Sequence, residues 1–332
     1  MQFDKMRRRE FITLIGGMAA WPLAASAQQP AMPVVGFVSA RSAASSPHLS
    51  AEFRKGLSEA GYVEGQNVAV EYHWLDGRYD RLPALMTDLV RRRMAVIATP
   101  GSIPATLAAK AATPTIPIVF GVTDDPVKLG LVTNLARPDG NATGVNFFIS
   151  EINAKRLGLL HELVPKAVRI AVLINPANAP TAEAALRDIP QAARALGLQI
   201  AILNASTGHE IDAAFASLEH EPADALFIGP DSYFLSRRLQ TVLLAMHYRI
   251  PTAHFAREEV EAGGLMSYGT DPLEAYRQVG AYTGQILKGA KPAELPVIQS
   301  TKFDFVINLQ TARALGIEIP NSLQLLADEV IE

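Results

Sequence analysis

The 332-residue chain has no cysteine. That excludes disulfides, thiolate metal sites, cysteine nucleophiles and a lipid-modified cysteine at a processed N-terminus. Charged residues make up only 19% of the chain. Beyond the N-terminal segment no apolar run approaches the roughly 20 residues that span a bilayer, so no integral membrane span is expected. Catalytic signatures are missing as well. No Gly-x-Gly-x-x-Gly follows the first predicted strand and no Gly-Lys-Ser/Thr loop is available to cradle phosphates, so a nucleotide cofactor is not expected, and neither is any other. His161-Glu162 meets Pro165 where a second zinc-binding histidine would have to stand. Gly264-Leu265-Met266-Ser267-Tyr268-Gly269 has one residue too many before the serine to form a nucleophile elbow. The histidines are scattered singly, and His254 alone falls at a strand end expected to face a cleft. Hydroxyls, amides, a few acids and aromatics remain, an inventory that suits recognition better than turnover, and no enzyme is expected.

What is present is a repeat. Val34 to Ser39 reads as a strand leading into an amphipathic helix and an Ala60-Gly61-Tyr62-Val63 turn. Arg169 to Asn175 leads likewise through a helix to Ala195-Leu196-Gly197-Leu198. Met94 to Thr99 is answered by Asp224 to Gly229, and Ile116-Pro117 by Ile250-Pro251, 134 residues further on. Each half reads β-α-β-α-β-α-β, which predicts an α/β fold of two similar doubly wound parallel-sheet lobes with a cleft between them. The glycine-rich runs Gly140 to Phe147 and Gly263 to Gly269 are expected to be crossovers between the lobes. The helix from Pro272 to Lys288 is expected to return to the first lobe, and Phe303 to Leu309 to supply a last strand shared with the second. The predicted organisation is 28-147 plus 268-296 for the N-terminal lobe and 148-267 plus 297-332 for the C-terminal lobe.

Residues 1-27 carry the marks of a signal peptide: a basic Arg7-Arg8-Arg9, a short apolar stretch from Thr13 to Ala20, and the small-residue site Ala25-Ser26-Ala27. Arg8-Arg9-Glu10-Phe11-Ile12 fits a twin-arginine signal, with the general export route as the alternative. The expectation is an exported, periplasmic protein with its signal removed and no lipid anchor. Removal takes Lys5, Arg7, Arg8 and Arg9, with Asp4 and Glu10, from the 30 basic and 33 acidic residues, leaving 26 and 31 and a net charge of −5. This balance argues against nucleic acid as a partner.

In open parallel sheets ligands bind beyond the carboxyl ends of the strands, where strand order reverses. Candidate ligand-binding residues are therefore sought in the loops there. In the first half these are Ser39 and Arg41 after the first strand, Ser102 after the third, and Thr123 and Asp124 after the fourth. Ser102 either receives an anionic group or simply caps its helix. Asn146 ends the first glycine-rich run. In the second half Asn175 follows the first strand. The loop Gly229-Pro230-Asp231-Ser232-Tyr233-Phe234 offers a carboxylate for a cation at Asp231 and a flat face at Tyr233, with Phe234 expected in the core.

Thr115 to Phe120 running into Asp124-Asp125-Pro126-Val127-Lys128-Leu129-Gly130-Leu131-Val132 resembles the substrate-binding proteins of a broad ABC-transporter family. So do Leu135 to Gly144, Asn175-Pro176, Gly263 to Gly269, Ile286 to Pro292 and the closing Ala327 to Glu332. The resemblance covers the whole chain after residue 27. It implies a type I periplasmic binding protein, a small-molecule ligand clamped between the lobes, and an ABC permease with its ATPase as partners. A monomer is the default for a clamp that opens freely. Some relatives bind aromatic amino acids, which would assign Ser102 and Thr123 to a carboxylate, Asp231 to an ammonium, and Tyr233 and Tyr268 to the side chain. Arg41 is a further anion partner or else a solvated rim charge. The expected function is a receptor for a small amphipathic solute, amino-acid-like or aromatic. The alternatives are a receptor that presents its solute to a sensor protein, or an exported α/β enzyme.

Overall fold

The computed structural model describes residues 32–149, 152–300 and 302–332; the export signal expected at 1–27 lies outside them. The first half opens with β1 (Val34–Ser39), α1 (Pro47–Glu59), β2 (Ala69–Trp74), α2 (Leu82–Arg91), β3 (Val96–Pro100), α3 (Ile103–Ala112), β4 (Ile118–Val122) and β5 (Ala142–Asn146). The second half follows with α4 (Asn153–Leu163), β6 (Arg169–Ile174), α5 (Ala179–Ala195), β7 (Gln199–Asn204), α6 (Gly208–Ser217), β8 (Ala225–Ile228), α7 (Ser232–Ser236), α8 (Arg238–His247), β9 (Thr252–His254), α9 (Arg257–Glu261) and β10 (Met266–Gly269). The chain closes with α10 (Pro272–Leu287), β11 (Ile298–Gln299), β12 (Asp304–Asn308), α11 (Leu309–Leu315), α12 (Asn321–Leu326) and β13 (Glu329–Ile331).

These strands form two sheets. The first has the order β11-β5-β4-β3-β1-β2 and is parallel throughout. The second has the order β13-β12-β10-β9-β8-β6-β7, parallel except where β10 meets β12. The central strands are continuous apolar runs such as Ile118–Val122 and Ala225–Ile228, buried along their whole length, as strands covered by helices on both faces must be. The edge strands β2 and β7 keep partly exposed residues instead. Strand order reverses between β1 and β3 in the first sheet and between β6 and β8 in the second, which aims the loops beginning at Ala40, Gly101, Asn175 and Gly229 at one another. Among the described residues no helix is long and apolar enough to cross a membrane.

Strand pairing moves the expected crossovers. Both glycine-rich runs end in strands, β5 and β10, that stay in their own sheets, so the chain changes lobe just after them, at Phe147 and Thr270. The change of lobe expected at residue 268 is therefore displaced, because Tyr268 and Gly269 pair with Phe305 and Asp304 in the second sheet. The one expected at 297 is displaced too, because Ile298 and Gln299 pair with β5 in the first. The chain passes between the sheets a third time between β11 and β12.

Helix α10 returns to the first sheet and lies against α1 at backbone contact. A Cβ at Gly56 would stand 1.9 Å from the Arg277 carbonyl oxygen, and one at Gly280 would stand 2.0 Å from that of Phe53. Only glycine allows this approach. Gly280→Ala must push the two helices apart, and its cost is expected at the upper end of the usual overpacking range of about 1–3 kcal/mol. A fall in the urea midpoint with an unchanged denaturant slope is the signature to look for.

Candidate ligand-binding site between the lobes

A small cavity lies where the four carboxyl-end loops meet. Its first-lobe wall is Arg41, Gly101, Ile103, Thr123, Phe147 and Tyr276, with Ile149 from the crossover; its second-lobe wall is Asn178, Pro230, Asp231, Ser232, Phe255 and Ala256, with Thr270 and Pro272 at the next crossover. Only ≈ 40 Å³ is free inside it, against the roughly 300–1,000 Å³ of ligand pockets in general. The lobes are closed on one another. The Ser232 hydroxyl donates to the Gly101 carbonyl at 2.8 Å, and Arg237 reaches Asp76 at 3.3 Å. The Ser42 N–H donates to the Ser236 hydroxyl at 3.3 Å. Tyr233 packs against Gly77, where a Cβ would stand 2.4 Å from the ring.

Arg41 is the cation of the cavity. Although buried, its guanidinium makes one side-chain hydrogen bond among the described residues, a long 3.5 Å contact from Nη1 to Glu258 Oε1. Glu258 Oε1 also lies 3.3 Å from His48 Nε2, while Glu258 Oε2 is buried without a partner among the described residues. Asp231 is the opposite case. Its Oδ1 accepts from Asn175 Nδ2 at 3.1 Å and from the Tyr233 N–H at 2.8 Å, capping α7. Its Oδ2 accepts from Asn178 Nδ2 at 2.7 Å. Burial pushes the Asp231 carboxyl up from its ordinary range, and these donors pull it back. Tyr79 also faces Asp231, and burial together with that neighbouring carboxylate holds its phenol well above the usual value.

The structure brings Arg41, Thr123 and Asp231 to the cavity wall. Ser39 and Asp124 stand one step behind it. Ser39 meets the Tyr276 hydroxyl, which also donates to the Pro100 carbonyl at 3.1 Å. Asp124 Oδ2 accepts from the Thr123 hydroxyl at 3.2 Å. Asn175 orients Asp231 and is itself held by the Ser206 hydroxyl at 2.7 Å. The other four are occupied elsewhere. The Ser102 hydroxyl caps α3 by accepting from the Ala105 N–H. Asn146 Oδ1 turns the chain by accepting from the Phe148 N–H. Tyr233 forms a lobe contact with Gly77 beneath the Arg237 guanidinium, 5.4 Å from its ring centroid. Tyr268 stacks on Phe303 at 5.9 Å, away from the cavity. Phe234 is fully buried in the second-lobe core.

Sequence reasoning missed Phe147, Ile149, Asn178, Phe255, Thr270 and Tyr276. Four of them, Phe147, Ile149, Thr270 and Tyr276, lie where a glycine-rich run ends or in the first turns of α10, so the signal was the end of each glycine-rich run. His254, expected near the cleft, is fully buried between Thr252 Oγ1 at 2.8 Å and Glu259 Oε1 at 3.1 Å. All three residues are buried, His254 Nδ1 and Glu259 Oε1 have no hydrogen-bond partner among the described residues, and Thr252 Oγ1 already accepts from the Leu265 N–H, so they do not form a nucleophile, base and acid in series. Among the described residues no group of His, Cys, Asp or Glu is placed to hold a metal ion.

Two α/β lobes joined by crossover strands around a buried cavity form the type I periplasmic binding-protein architecture, and comparison with known proteins agrees. A tyrosine-binding protein of Clostridioides difficile (strain R20291) is 26% identical over 80% of this chain and 76% of its own. The structure of an ABC domain in complex with L-Trp from Streptococcus pneumoniae superposes with a TM-score of 0.78 and 26% identity, covering 90% of this chain and 99% of that one. A conserved domain protein from Vibrio cholerae O1 biovar El Tor gives a TM-score of 0.80 and 25% identity over the same shares. The family model described as "ABC transporter substrate binding protein" matches residues 34–331, so the chain belongs to the ABC transporter substrate-binding protein family, the solute receptors of ABC importers.

Proposed function

We propose that this receptor captures an aromatic or comparably amphipathic amino-acid-like solute in the periplasm and presents the closed form to its permease. The observation that carries the reading is the make-up of the cavity. Phe147, Phe255, Tyr276, Ile103 and Ile149 line it together with one guanidinium, Arg41, and with Asn178 and Thr270, whose Oδ1 and Oγ1 are buried and have no partner among the described residues. Flat apolar walls suit a ring or alkyl group, and an under-used guanidinium suits a carboxylate. Thr123, backed by Asp124, stands on the same wall as Arg41 for a second contact. The relatives described as tyrosine-binding and as an L-Trp complex support the same chemistry. Residues 1–27 would direct export, and the mature chain would act as a monomer, its lobes pivoting on the segments after β5, β10 and β11.

A thermal-shift screen of residues 28–332 against amino acids, aromatic acids, nucleosides and sugars tests the reading. A true ligand at about 100 times its dissociation constant adds roughly 2.7 kcal/mol of stability. Stabilisation by tryptophan, tyrosine or phenylalanine is the expected result. Stabilisation confined to sugars or nucleosides overturns it.

A further inference from the structure

Asn178 occupies the N-cap of α5 but makes no capping hydrogen bond, although asparagine at that position ordinarily turns its side-chain oxygen onto the first helical N–H groups. Instead its amide is rotated so that Nδ2 donates to Asp231 Oδ2 at 2.7 Å. That bond fixes which end of the amide is which, since a carboxylate accepts only from nitrogen. Asn178 Oδ1 is therefore left over, buried and without a hydrogen-bond partner among the described residues, on a residue that lines the cavity. An unpaired buried acceptor is unfavourable unless something completes it. Asp231 itself has no such room, because Asn175, Asn178 and the Tyr233 N–H occupy its oxygens and Tyr79 faces it.

Resting on the proposed class of solute, we propose that Asn178 Oδ1 is the acceptor for the ligand's α-ammonium group, and that Asp231 acts behind it as a positioning residue. The carboxylate holds the asparagine amide in the one orientation that presents oxygen to the cavity, and its negative charge lies one amide away from the bound cation. The site thereby selects amino acids over the corresponding amine-free acids. Carboxylate recognition at Arg41, from the other lobe, stays independent of this contact.

The experiment is isothermal titration of the mature protein with L-tryptophan, L-tyrosine and L-phenylalanine and with their des-amino counterparts, 3-(indol-3-yl)propionate, 3-(4-hydroxyphenyl)propionate and 3-phenylpropionate. Wild-type protein is expected to bind the amino acid of the best pair at least 10-fold more tightly. In Asn178→Ala that preference should collapse towards unity, with the des-amino acid bound nearly as well as by wild type. Asp231→Asn keeps an oxygen for the α7 cap but turns a second NH₂ towards Asn178. The Asn178 amide then flips, and the amine preference should be lost there too while the des-amino acid still binds. A role in stability alone would weaken both members of the pair equally. Equal wild-type affinity within each pair, or an amine preference that survives in both variants, overturns the assignment while the aromatic-solute reading stands. Failure of all six to bind wild type overturns that reading, and this one with it.

Discussion

Replacing Arg156 with leucine is expected to destabilise the fold by about 1–3 kcal/mol for each of the two buried carbonyls it leaves without a donor. Arg156 projects from α4 with no exposed surface at all. Its Nε donates to the Tyr268 carbonyl at 3.0 Å, its Nη2 to the Ile149 carbonyl at 3.1 Å, and its Nη1 to Asn153 Oδ1 at 3.4 Å, while the guanidinium lies over the Phe227 ring at 5.2 Å. Burial draws its pKa down to about 9, opposed by the charge of Glu259, so the group is protonated at neutral pH. The sign follows directly. A base whose folded-state pKa is depressed carries its burial penalty in full below that pKa and is relieved only as pH rises through it, so Arg156 introduces no acid-side transition. Leucine would fill most of the space but leave two carbonyls dry. Those carbonyls belong to the segment after β5 and to the end of β10, adjoining two of the three passages between the lobes. Urea unfolding should show the loss. Scattering of the ligand-free protein should show a larger radius, because Ile149 on the cavity wall loses its anchor. Stability within about 0.5 kcal/mol of wild type, the range of an ordinary surface substitution, would contradict this account.

The architecture was legible because it is written in patterns a sequence displays. Val34–Ser39 is an apolar run of strand length, and Ile116-Pro117 and Ile250-Pro251 mark the same position in two copies of one unit. Two repeats of alternating strand and helix leave few arrangements other than two wound sheets facing each other. The loops were legible for the same reason, since strand order alone places Arg41, Thr123 and Asp231 at the carboxyl ends. The role of each side chain within a loop was not. Ser102 and Asn146 have the composition of ligand contacts and serve as a cap and a turn, because local backbone donors compete for the same oxygens. Tyr233 has the composition of a ring clamp, yet it packs against Gly77 of the other lobe, and that pairing across lobes leaves no mark in either segment. The crossover boundaries slipped by two or three residues at Tyr268 and Ile298. Glycine marks where a chain can turn, whereas pairing with β12 and β5 decides where it does.

Arg41→Gln is expected to lower affinity for the aromatic amino acid that binds best by about 2–5 kcal/mol, the cost of removing one partner from a buried charge-assisted contact. At 1.4 kcal/mol per factor of ten this is a loss of between about 30-fold and a few thousand-fold. Arg41 is poorly used in the closed lobes. A guanidinium can form two parallel bonds to a carboxylate, whereas here a single 3.5 Å contact reaches Glu258, which His48 shares. Glu258 therefore serves as a weak resident counter-ion that keeps the cation from being buried alone, and an incoming carboxylate competes with it. Glu258→Gln should consequently leave affinity unchanged or raise it by several-fold, although the same substitution removes an inter-lobe ion pair and by simple loss of contact would weaken closure. The opposite responses of two residues that touch each other separate ligand recognition from lobe adhesion. If Arg41→Gln and Glu258→Gln weaken binding alike, the pair is only a latch. If tryptamine, which lacks the carboxylate, loses as much affinity as tryptophan in Arg41→Gln, the guanidinium is not the carboxylate's partner.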